Sequence, residues 1–167
     1  NIYDSSKLFA GADRGHRALY QQLAFGLTAA MAMGADAGAQ SEIVDDWLRS
    51  LVVHEVGHAP GLTHTCRASQ YRPRSQVDDR GSAGRSGPSN SVMDYEATNI
   101  APAGQPQGYY WTTLPGPYDE WVIEYGYSES LADPADEEAR LDSILSRSTD
   151  PALAFNNDGD VMADPGA

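Results

Sequence analysis

The chain has 167 residues, with 24 acidic against 11 basic side chains and a formal net charge of −13. That acidic excess argues against nucleic acid and against anionic membrane surfaces as partners, since both would repel it. The length and 41% hydrophobic content suit one domain with a modest core. No run approaches the roughly 18 apolar residues of a transmembrane helix, and the single cysteine, Cys66, rules out an internal disulfide.

In chain order, residues 1–4 read as a short extended piece, the end of a strand whose partners lie upstream. From 13 to 33, Leu19, Leu23, Leu27 and Met31 recur every four residues and Ala30 adds to the stripe, which predicts an amphipathic helix. Gly34 and the small residues to Gln40 end it. His16, far from the other histidines, reads as a surface residue. A second helix is expected over 41–60, with Ser41 as N-cap and Glu42, Asp45 and Asp46 complementing the positive end of its dipole. Trp47, Leu51, His54 and His58 fall on or near one stripe of it.

The end of that helix carries the chemistry. Residues 54–64 read H-E-x-x-H-x-x-G-x-x-H, and five fixed positions would match by chance in roughly one chain of this length per hundred thousand. Helical residues four apart share a face, so His54 and His58 present imidazoles to one metal ion. Glu55 lies beside them, within reach of a proton on a metal-bound water. Gly61 falls where the helix stops, and a glycine there takes the left-handed conformation that turns His64 back as a third ligand. Three neutral imidazoles and one open position make a catalytic site for one zinc ion, whereas structural sites fill all four positions. Pro60 is the awkward residue, because it removes a helical hydrogen bond and crowds the carbonyl of Val56. Its damage should stay within the last turn.

Residues 66–91 carry Arg67, Arg72, Arg74, Arg80 and Arg85 without periodicity and read as a long loop. Cys66 within it reads as a small packed or partly exposed residue. Ser91-Val92-Met93-Asp94-Tyr95 follows, then a proline- and glycine-rich stretch to Pro117. Residues 118–125 read as a short helix in which Trp121 and Tyr125 face the core. A last helix starts at Asp133, an N-cap with Pro134 at the first helical position, and Leu141, Ile144 and Leu145 form its apolar side. Residues 148–167 read as an irregular acidic tail. Asn156, Asp158, Asp160 and Asp164 there echo a calcium loop only loosely.

The histidine motif together with residues 91–95 resembles the metzincin zinc endopeptidases, in which a methionine-containing turn lies beneath the metal. Within them the chain looks most like large bacterial zinc-dependent metalloproteases, whose active-site region runs through S-V-M-D-Y to a G-P-Y-D-x-W segment, here Gly116 to Trp121. The similarity covers residues 41–127 best. It implies an α+β, zincin-type catalytic domain, predominantly helical in this chain, with the Met-turn at 91–95 and the upstream sheet largely missing. Residues 1–167 would then be one partial catalytic domain, and Asn1, which is no natural start, suits an excised or processed piece.

The resemblance further implies that His54, His58 and His64 hold zinc. Glu55 is the implied general base toward a zinc-bound water. Tyr95 is implied as a switchable ligand or oxyanion donor, and Met93 as a structural support with Gly61. The implied function is a zinc-dependent endopeptidase acting on protein or peptide substrates, secreted, periplasmic or at the cell envelope, although no signal peptide opens the chain. Two alternatives stand beside it: a catalytically impaired, zinc-stabilised peptide-binding or scaffolding module, and a zinc hydrolase of non-peptide amides or esters. Oligomeric state and cleavage preference are not legible.

Overall fold

Two long helices frame the molecule: α1 spans Ser5–Ala32 and α2 spans Ala37–His58. The computed structural model describes residues 5–81 and 87–157, and only the backbone of 5–16 and 18. The extended reading of 1–4, the surface reading of His16, Arg85 in the loop, and the tail beyond 157 with Asp158, Asp160 and Asp164 lie outside the described residues. Among the described residues every regular element is helical and no strand occurs. The predominantly helical expectation therefore holds, and the sheet of an α+β fold has no counterpart there. No described helix is long and apolar enough to cross a membrane.

α1 starts earlier than the periodicity predicts, and its inward stripe is different. A four-residue step overshoots a 3.6-residue turn by about 40°, so Met31 has drifted about 120° from Leu19 and is 60% exposed. Ala30 returns to Leu19's side, and both are buried. The link to α2 is short: Gly34 takes φ +85°, Gly34 N–H donates to Met31 O, and Ala35 N–H donates to Ala30 O. That pattern closes a helix and reverses the chain. α2 then begins at Ala37, before the expected Ser41, because Asp36 is the N-cap and its carboxylate accepts from Ala39 N–H at 2.9 Å.

α1 and α2 close a first core of Ala30, Ile43 and Trp47 against Tyr110 and Trp111, with Leu23, Leu27, Leu51 and Ile100 packed around it. Asp46 reaches from α2 to accept Tyr110 N–H at 3.1 Å. A second, smaller core sits at the far end of α2, where Leu62, Val92 and Met93 meet Val53, Val122 and Ile123.

Among its described residues, the arginine-rich loop contains one short helix, α3 (Arg74–Val77), and a tighter turn at Ala68–Gln70. α4 spans Pro117–Tyr127 and α5 Pro134–Leu145, the latter capped by Asp133 as predicted. The expected inward pair on α4 needs correction. Trp121 is half-buried and donates to Ile144 O at 2.8 Å, but Tyr125 is exposed, and Tyr118 and Asp119 are the buried residues. Tyr118 stacks on Phe155, and Asn156 O accepts Cys66 N–H at 2.8 Å. The chain from 146 to 157 is thus folded back onto the domain in short turns, with Leu153 buried, rather than lying free.

Glu96 follows residues 91–95 and is buried, with Thr112 N–H and Oγ1–H donating to its carboxyl. Burial raises its pKa from the ordinary 4.5 to about 8, more than the Thr112 bonds lower it. The folded chain therefore binds this proton more tightly than the unfolded chain. The resulting stability is fully present below 4.5 and is lost as pH rises through about 8. Denaturant midpoints should fall across that interval in the parent protein, and the fall should flatten in Glu96→Gln, which stays neutral while keeping an acceptor for Thr112 N–H.

Candidate metal centre

His54 and His58 project from the last turn and a half of α2, with ring centroids 4.9 Å apart and edge-on. The helix ends immediately after His58. Gly61, at φ +97°, donates to His58 O at 3.0 Å, and Leu62 N–H donates to Gly57 O at 3.3 Å. This is the same helix-closing pattern that ends α1. Pro60 does no damage there: Val56 O, the carbonyl it would have left unpaired, accepts Ala59 N–H at 3.1 Å instead. The reversal brings the His64 ring to 5.1 Å from His54 and 4.8 Å from His58. One ring nitrogen from each of the three lies within 4.8 Å of the others. Cys66 does not join this cluster.

Hydrogen bonds fix which nitrogens face inward. His54 Nδ1 lies 2.8 Å from Val92 O and His58 Nδ1 lies 2.9 Å from Leu62 O. A carbonyl only accepts, so each Nδ1 carries a proton, and Nε2 is the ring nitrogen left to face an ion. His54 is buried, and desolvation lowers its pKa to about 4, outweighing the bond to Val92. It is therefore neutral at physiological pH, as a metal ligand has to be. Two imidazoles with outward-tied Nδ1 atoms and a third alongside fit a zinc ion with an open position.

Tyr95 and Glu55 border this cluster. The Tyr95 hydroxyl lies 2.6 Å from His64 Nε2, and its ring is 5.1 Å from His54. Glu55 is exposed on α2, and its negative charge favours the protonated form of His54. Met93 is fully buried beneath the helix. Its sulfur occupies the space a side chain at Gly57 would need, for a Cβ there would sit 2.4 Å from Sδ. Thr65 N–H donates to Met93 O at 3.1 Å, which joins the segment after His64 to the same turn.

Sequence reasoning gave no role to Asp119 or Ser91. Asp119 is buried and accepts from Ser91 Oγ at 2.5 Å, Gly116 N–H at 2.8 Å and Val92 N–H at 2.9 Å. Its signals were its place as the D of the G-P-Y-D-x-W segment and in the first turn after Gly116-Pro117, a capping position, and neither names a partner so far back along the chain.

Compared with known proteins, residues 36–167 match the model of a family described as Met-zincin. No curated protein and no solved structure matches the chain.

The contact between Gly57 and Met93 makes a sharp test of the packing. Gly57→Ala should displace the Met93 side chain and cost about 1–3 kcal/mol, the range for overfilling a packed core. Thermal unfolding of the two proteins measures it, and an unchanged midpoint would mean that Met93 does not fill that space.

Proposed function

The chain belongs to the Met-zincin family, and on that premise we propose that it is a zinc-dependent endopeptidase that hydrolyses peptide bonds of proteins. The observation that carries this reading is the convergence of His54, His58 and His64, two of them with Nδ1 tied to backbone carbonyls. These three side chains would hold the ion. When bound, zinc supplies Lewis acidity: it polarises a carbonyl and lowers the pKa of water to about 7.

The chain's own residues do the rest. Glu55 takes the proton from the attacking water as the C–O bond forms, then delivers it to the amine nitrogen as the C–N bond breaks. Tyr95, with its hydroxyl already among the imidazoles, donates a hydrogen bond to the carbonyl oxygen as negative charge develops there. Met93 and Gly61 act only through position, the first beneath α2 and the second at the turn that delivers His64.

Purified protein carrying one equivalent of zinc should cleave a mixed peptide library, and a chelator should abolish cleavage. Glu55→Ala should lower kcat/KM by roughly a hundred- to ten-thousand-fold with zinc content unchanged. Tyr95→Phe should cost about a hundred-fold, mainly in kcat. Stoichiometric zinc with no cleavage, the same in Glu55→Ala, would mark a binding or scaffolding module. Turnover of small esters but not peptides would mark a non-peptide hydrolase.

A further inference from the structure

One continuous chain of hydrogen bonds leads from a buried carboxylate on α4 to the first histidine of the metal centre. Asp119 Oδ1 accepts from Ser91 Oγ–H at 2.5 Å. With its proton so engaged, Ser91 Oγ accepts from Met93 N–H at 3.0 Å. Met93 N–H and Val92 C=O are the two ends of one peptide group, and Val92 O accepts from His54 Nδ1–H at 2.8 Å. The other carboxylate oxygen, Oδ2, accepts Val92 N–H and Gly116 N–H and holds the head group in place. Asp119, Ser91, Val92, Met93 and His54 are all buried.

Each link in such a chain polarises the next, and a low-dielectric interior strengthens the effect. A negative carboxylate draws the Ser91 proton toward itself and makes Oγ a better acceptor. The Met93 N–H bond in turn leaves Val92 O more negative. His54 then shares its Nδ1 proton more fully, and its Nε2 becomes a stronger donor toward a cation. We propose that Asp119 and Ser91 are positioning residues of the metal centre, fixing the orientation and raising the basicity of His54 through the Val92–Met93 peptide. The proposal rests on the reading of the three histidines as zinc ligands.

Ser91→Ala tests it most cleanly, since it cuts the chain in the middle and leaves the Val92 and Gly116 bonds to Asp119 in place. Its zinc dissociation constant, measured by competition with a chromophoric chelator, should rise about 10- to 100-fold, as for other partners of ligating histidines. The visible bands of the cobalt-substituted protein should shift as well. Asp119→Ala should weaken zinc at least as much; where it does not fold, Ser91→Ala decides alone. Asp46→Asn, which weakens a buried carboxylate bond to Tyr110 N–H in the other core, should lower stability without changing zinc affinity. Parental affinity and parental cobalt bands in Ser91→Ala would overturn the proposal. In the metal-free protein, the His54 Nδ1–H resonance should move toward that of a weaker hydrogen bond in Ser91→Ala. That measurement needs no ion, so it separates loss of the relay from failure of the zinc reading itself.

Discussion

An irregular segment buried beneath a helix has no ladder of its own, so every polar backbone atom it carries inward needs a partner elsewhere. Residues 91–95 are in that position, and the way the constraint is met organises the functional half of the molecule. Val92 offers its N–H to Asp119 and its C=O to His54, Met93 offers its N–H to Ser91 and its C=O to Thr65, and Ser89 Oγ accepts from Ser91 N–H. The partners come from α2, from α4 and from the segment following His64. Satisfying one turn therefore holds three otherwise separate parts of the chain in register.

α2 spans the distance between the two cores. Its first half is anchored by Ile43 and Trp47 against Tyr110 and Trp111, and its second half by Val53 over Val92 and Met93. His54 and His58 emerge from the second half, where Gly57 lets the turn approach the helix backbone closely. Burial then acts in two ways. It keeps His54 neutral, and it makes each hydrogen bond near it stronger than the same bond in water.

The centre was more legible in the sequence than its surroundings, for a physical reason. His54, Glu55, His58, Gly61 and His64 are placed by local geometry, the four-residue helical repeat and one left-handed residue, and such geometry is written in spacing. Met93 and Tyr95 were legible only through resemblance. Asp119 stood in a quoted segment, but its role was not legible, because its partners Ser91 and Val92 lie 28 and 27 residues away and no periodicity links them. The errors in the fold were of the same kind. Ser41 looked like a cap because polar residues cluster there, but the short turn at Gly34 starts α2 earlier, at Asp36. Tyr125 fits the helical repeat with Trp121, yet Tyr118, stacked on a residue near the end of the described chain, sets which face of α4 turns inward.

Pro60 has a consequence for how an ion would meet this protein. Without an N–H it cannot extend the α2 ladder, and its carbonyl is held by the Tyr127 hydroxyl at 2.7 Å. The strand of chain carrying His64 thus has no helical conformation to fall into when it has nothing to bind. Helical continuation is disfavoured by covalent structure, and one hydrogen bond from α4 fixes the carbonyl at the turn. For an ion held by His54, His58 and His64, part of the ordering that a third ligand normally entails would then be met during folding, and binding would be closer to capture by a prepared cage than to closure of a loose one.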